Sequence, residues 1–196
     1  MRNAALSSLL LLLVACASSP AQQTLYLLHP EPAAESGLVG APRAVGLARV
    51  GVAPYLAQTG IVVQTEPGQL QVARLHHWAE PLEAGLRSLM RAEMSRALGY
   101  EVSDGRGGRA DWDYTIDVYV DRLHGSMTGR AVLDASYRIA ARAGGSEVVE
   151  YRFSSSVPLP RAGYPGLVDA QADLARQLAR AIPGSLLELE PSRAGS

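Results

Sequence analysis

The chain contains no lysine. All 18 of its basic side chains are arginines, set against 19 acids. This excludes a Walker-type phosphate loop and a lysine Schiff base. One cysteine in 196 residues excludes an intrachain disulfide. One Phe, two Trp and eight Tyr are a thin aromatic supply, so Leu, Val, Ile and Ala must build the core. A formal net charge of −1 lacks the cationic excess on which nucleic-acid binding depends. What is present is a 47% apolar, 19% charged chain, long enough for one domain and too apolar for disorder throughout.

Residues 4–15 form an apolar run broken only by Ser7 and Ser8, preceded by Arg2. It falls short of the about 20 residues that a membrane-spanning helix needs. It suits the apolar core of a secretory signal peptide. The next residues, Leu13-Val14-Ala15-Cys16, resemble the lipobox of bacterial lipoproteins, where the signal is cut before a Cys that is then acylated. The expected organisation is a signal peptide at 1–15, a lipidated tether at 16–23, one domain at 24–187 and a flexible tail at 188–196. No cofactor is expected beyond the covalent lipid, palmitate included, on Cys16. Ala17 follows that Cys. By the sorting rule of many Gram-negative lipoproteins, the absence of Asp there implies the outer membrane, facing the periplasm.

The spacing predicts short strands over residues 24–28 and 45–53, the second ended by Pro54, with a Pro/Gly-rich loop over 29–44. Residues 61–65 and 70–74 flank Glu66-Pro67-Gly68-Gln69, a hairpin signal. Residues 80–98 predict a helix. Pro81 stands in its first turn, Gly99 caps it, and Leu82, Leu86, Leu89, Met90 and Ala97 make an apolar stripe. Glu93 falls in that stripe, as a rim residue near the helix end or an Arg partner or, alternatively, a buried acid poised for chemistry. A second helix is expected from Pro165 to Ile182, with Leu167, Leu174, Leu178, Ala181 and Ile182 buried and Pro183-Gly184 as its stop.

Between the helices, three segments alternate with period two. Trp112, Tyr114, Ile116, Val118 and Val120 point one way and Asp113, Thr115, Asp117, Tyr119 and Asp121 the other. Ala131 to Ala141 and Val149 to Val157 repeat the pattern. Pairing 113 with 138 would oppose Asp117 and Asp134, so charge alone leaves the register open. The expected fold is an α+β or α/β sandwich: a mostly antiparallel or mixed sheet of about six strands, one face wet, the other under two amphipathic helices.

Motifs for chemistry are weak. Gly125-Ser126-Met127-Thr128-Gly129 lacks nucleophile-elbow spacing and reads as a hairpin loop. Gly105-Arg106-Gly107-Gly108-Arg109 lies between strands, where a phosphate cradle would need a helix start. Adjacent His76 and His77 point to opposite faces of a strand, and His29 and His124 lack ligand-spaced neighbours, so no metal site is expected. Asp113, Asp117 and Asp121 read as a solvated strand face. The indole of Trp78, just ahead of a Pro-started helix, suits a structural corner.

The order of motifs is more informative. After the lipobox come Tyr26-Leu27-Leu28, then Val50-x-x-x-Pro54-Tyr55-Leu56, Ile61-Val62, Gln69-Leu70-Gln71 and Trp78-Ala79-Glu80-Pro81-Leu82. This order resembles the Pqi-type family of ABC-transport auxiliary lipoproteins from Cys16 to about Ile182. Many members carry Arg before the Trp, where this chain has His77. The resemblance implies a fold similar to the amino-terminal domain of the Tol-Pal protein B. It also implies a non-catalytic part in moving lipids between two membranes and supporting membrane integrity. The implied partners are a periplasmic protein with mammalian-cell-entry domains, which form hollow conduits, and inner-membrane permease subunits. The candidate contact residues are Pro54, Tyr55, Leu56, Trp78 and Glu80, with the hairpin at 61–74 beside them. The alternative is a stand-alone lipid-binding lipoprotein, its acyl chain beside Ala131, Ala135, Ala141 and Ser155. A homo-oligomer matching a conduit is compatible with the chain, although no residue pattern shows one.

Overall fold

The computed structural model describes residues 21–28, 43–105, 112–142 and 148–189. Cys16 and its lipobox, residues 29–42, Arg106 to Arg109, the Gly144-Gly145-Ser146 link and the end of the tail lie outside the described residues.

Strict alternation builds the centre of the sheet. β5 (Tyr114–Gly125), β6 (Arg130–Ala141) and β7 (Val148–Pro158) form an antiparallel meander. The observed register sets Asp117 opposite Arg138. Past an irregularity at Asp121, it sets Arg122 opposite Asp134. Every like-charge pairing is thereby avoided along this hairpin. Residues 126–129 make the turn, as the sequence implies.

The other edge of β5 carries two strands end to end. β2 (Val45–Val52) pairs with it in parallel, and β3 (Gly60–Glu66) joins through Val63 and Gly125. A 3-10 turn, Pro54–Leu56, links them. β3 returns through Pro67-Gly68 into β4 (Gln69–Trp78), and Gly68 supplies the left-handed conformation at φ 80°. β1 (Thr24–Tyr26) pairs in parallel with β4. The sheet therefore has seven strands among the described residues, ordered β1-β4-β3-β5-β6-β7, with β2 also beside β5.

Helix α1 (Leu82–Leu98) begins after Pro81, which is the residue before its first turn and not within it. It ends where expected: Gly99 is left-handed at φ 76° and its N–H donates to Ser95 O. Met94 is buried in the stripe, while Ala97 is exposed. Helix α2 (Gly163–Leu189) runs through Pro183, correcting the expected stop. An interior proline costs about 3 kcal/mol. The last turns offset it by burying Ile182, Pro183 and Leu186. Each apolar side chain so buried contributes about 1.5–3 kcal/mol. Ser185 also bonds the Tyr137 hydroxyl at 2.8 Å.

Both helices cover the same face of the sheet. Leu47, Leu86, Leu89, Met90, Ile116, Leu133, Leu174, Leu178 and Ile182 are fully enclosed between the layers. Ala131, Ala135 and Ala141 are buried on β6, the strand beneath α2. Small residues there let helix and sheet approach closely.

Candidate functional site

The face without helices is the larger feature. Register makes it a grid of alternating sign. Arg49, Asp117, Arg138 and Glu150 stand in one row across β2, β5, β6 and β7. Tyr119, Ser136 and Arg152 make the next, then Arg122, Asp134 and Ser154. Arg122 donates to Asp134, Ser154 Oγ donates to the same carboxylate at 2.7 Å, and Arg138 lies 3.9 Å from Asp117. Burial works against the Asp134 charge, yet the bonds from Arg122 and Ser154 prevail and hold its pKa below the usual carboxylate range. Arg49 and Arg152 make no ion pair with the described residues. Two shallow grooves of about 510 and 320 Å³ run over this grid.

The Pro54–Leu56 turn borders the grid. Pro54 is exposed, Tyr55 is half-buried, and Leu56 is 2% exposed and belongs to the core. The Tyr55 hydroxyl donates to Asp121 O at 3.3 Å, and its ring meets the His124 ring edge-on at 6.1 Å. His124 is buried and its Nδ1 has no hydrogen-bond partner among the described residues. Burial, and then the Arg122 charge, hold its pKa below the usual imidazole value. Burial also raises the Tyr55 pKa.

Trp78 is buried at the corner between β4 and α1, so its side chain is not a contact surface. Its N–H donates to Thr59 O and the next N–H, of Ala79, to Tyr26 O, both at 2.8 Å. Indole burial and these bonds fix where α1 begins. Glu80, two residues on, is exposed. Of the five candidate contact residues, Pro54, Tyr55 and Glu80 remain accessible, and Leu56 and Trp78 serve the core.

Glu93 is an Arg partner rather than a free acid. It is 1% exposed, with Arg96 Nη1 at 2.5 Å and Arg180 Nη2 at 3.2 Å. Desolvation pushes its pKa up, but the Arg96 bond and both guanidinium charges outweigh it, and the net shift is downward. His76 and His77 part company as expected. His76 stacks on Tyr164 of α2 with ring centroids 3.8 Å apart and bonds the Tyr26 hydroxyl at 3.0 Å, while His77 bonds Arg74 O at 2.8 Å. Among the described residues no group of three or more His, Cys, Asp or Glu could hold a metal ion. Sequence reasoning passed over the His124 site and the Arg180 partner of Glu93. Both depend on pairings across distant segments that spacing does not display.

The model of the ABC-type transport auxiliary lipoprotein component family matches residues 26–183. The chain belongs to this family. It is 28% identical over 130 residues to the intermembrane transport lipoprotein PqiC of Escherichia coli strain K12, and likewise to that of Shigella flexneri. The match covers 64% of this chain and 67% of each relative. Two crystal structures share the fold. One, of an uncharacterized protein, has a TM-score of 0.71 at 24% identity and covers 84% of this chain and 99% of its own. The other, protein XCC0632 of Xanthomonas campestris from the DUF330 family, has a TM-score of 0.68 at 19% identity, covering 88% and 100%. The family is one of transport auxiliary lipoproteins. It implies partner transporter proteins and membrane association.

Proposed function

We propose that this chain is the outer-membrane end of a system that moves lipids between two membranes. Cys16, cleaved and acylated, holds the domain on the periplasmic side of the outer membrane. The helix-free face, bordered by Pro54 and Tyr55, docks a periplasmic conduit of mammalian-cell-entry domains, which inner-membrane permease subunits feed, and Glu80, beside the first turn of α1, makes a second contact. The chain contributes binding rather than catalysis. The observation that carries this reading is the family match over residues 26–183, together with a broad charged face left uncovered by either helix.

That face is suited to recognition. Its charges alternate, so a partner must match the pattern, and such complementarity sets specificity more than raw affinity. The rival reading, an acyl chain held between sheet and helices, has no support in the packing. Ala131, Ala135 and Ala141 are buried in the core where that chain would lie.

A photoreactive residue placed at Tyr55, Glu80 or Ser136 in cells tests the reading. Capture of a mammalian-cell-entry protein supports it. Capture of phospholipid alone, or of an outer-membrane assembly protein, overturns it.

A further inference from the structure

Eight large apolar side chains stand exposed among the described residues, and five of them, Leu25, Leu27, Leu70, Val72 and Leu75, lie on or beside the neighbouring strands β1 and β4. Their facing can be worked out. A Cβ on Gly125 would lie 3.0 Å from Leu167 of α2, so Gly125 faces the helices, and so does its partner Val63. Val62 and its partner Val72 therefore face the other way, as do Gln64 and Leu70. A register shift between the Val62–Val72 and Gly60–His77 pairings reverses the alternation along β4, and beyond it His76 stacks on α2 and bonds Tyr26, so Tyr26 faces the helices and Leu25 does not. Leu25, Leu70 and Val72, 61%, 44% and 44% exposed, thus share the helix-free side, apart from the charged grid on β5–β7.

The tether enters from the same quarter. β1 runs parallel to β4 with Thr24 opposite His76, so the chain before Thr24 comes from the direction of the β3–β4 turn. Thr24 lies eight positions after Cys16, and His76 lies eight positions after Gly68 at that turn. Each stretch reaches at most about 29 Å when extended. β3 meets β5 only at Val63, so the hairpin beyond it has no sheet neighbour on that edge.

We propose that the flank formed by Leu25, Leu70 and Val72 rests on the phospholipid surface, in contact with the outermost acyl chains. This rests on the reading that Cys16 is acylated. The anchor and the flank then grip the membrane together, and the charged grid is held at a fixed angle to it. The occupant is the bilayer because the reach of the tether matches the hairpin and Leu25, Leu70 and Val72 stand exposed on this flank, where the grid presents paired opposite charges.

The test uses the acylated full chain on vesicles of phosphatidylethanolamine and phosphatidylglycerol with brominated acyl chains. Three variants, Leu70→Trp, Leu25→Trp and Tyr119→Trp, are each compared with the parent chain, whose Trp78 and Trp112 are buried. The expected result is at least two-fold quenching, with a blue shift, of the added signal at residues 70 and 25, and little at 119. Equal quenching at all three sites, or none at 70 and 25 in a chain that floats with the vesicles, overturns the contact while leaving the anchor standing. A chain that does not float removes the anchor and the contact with it. Crosslinking from Leu70 in cells that yields a conduit protein or a second copy, and no phospholipid, also overturns it.

Discussion

Replacing Glu93 by Gln should cost stability in a pH-dependent way. The carboxylate is 1% exposed, with Arg96 at 2.5 Å and Arg180 at 3.2 Å. A hydrogen bond to a charged group is worth about 1.5–3 kcal/mol. The two guanidiniums are 36% and 56% exposed and recover hydration when released, which discounts the loss. The amide also keeps a neutral bond. The expected cost at pH 7 is therefore about 2 kcal/mol, below the 3–5 kcal/mol of a fully buried broken pair. Glu93 has a lowered folded pKa, so the unfolded chain binds its proton first as pH falls. Its contribution is full above the unfolded value, near 4.3, and is lost as pH drops through the folded one. Urea unfolding of both chains at pH 7, 5, 4 and 3, followed by circular dichroism, reads the gap directly. It should hold from pH 7 to 5 and narrow towards pH 3. A gap under about 0.5 kcal/mol at pH 7 would refute the ion-pair account. A gap still full at pH 3 would assign the loss to packing.

Gly46→Ala places a Cβ 2.1 Å from the Trp112 ring; overpacking of this kind costs about 3 kcal/mol, and Trp emission should shift to the red as the indole leaves its site. His124 has its pKa lowered by burial and then by Arg122. The unfolded chain takes up that proton near pH 6.5 while the folded chain resists, so stability should fall as pH drops from 7 towards 5. In His124→Leu that part of the slope should vanish in denaturant melts; an unchanged slope would point to another group. Cys16→Ala should abolish incorporation of labelled palmitate in cells, and label retained on the variant would place the lipid elsewhere.

Local rules carried the elements well. Alternation of Tyr114, Ile116, Val118 and Val120 against Asp117 and Tyr119 displayed β5 and its two faces. Gly99 marked the end of α1 because a left-handed cap there needs glycine. Long-range choices were hidden. The β5–β6 register depends on the irregularity at Asp121, which no alternation reveals, and charge pairing had left it undecided. Pro183 reads as a helix stop until Ile182 and Leu186 are seen buried beyond the reach of local propensity. Trp78 and Leu56 belong to distinctive motifs, but both are large apolar side chains, and the core claimed them. The motif order pointed to the family. What each motif residue does required the pairing of distant strands.

The two kinds of ion pair divide the molecule's energetics from its recognition. The Glu93 carboxylate is buried under its two arginines, and it ties α1 to α2 through Arg180. The grid pairs are different. Their acids, Asp134 and Asp117, are 24% and 34% exposed where Glu93 is 1%, and such surface pairs contribute about 0–1 kcal/mol each. Stability therefore does not explain a sheet face patterned with both signs. A face kept merely soluble would need no order among its charges. Here Arg49, Asp117, Arg138 and Glu150 alternate along one row, and Arg49 and Arg152 have no ion pair among the described residues. An approaching partner of one sign meets repulsion at every second position, whereas a partner with matched alternation meets attraction throughout. Reversing the whole row, as Arg49→Glu, Asp117→Arg, Arg138→Glu and Glu150→Arg, keeps every cross-strand neighbour opposite in sign and the net charge unchanged while inverting the pattern. The fourfold variant should therefore fold as the parent does, with an unfolding free energy within about 1 kcal/mol of it. Its crosslinking from Ser136 should nonetheless be lost. Crosslinking that survives the swap would show that the grid is not read by its partner.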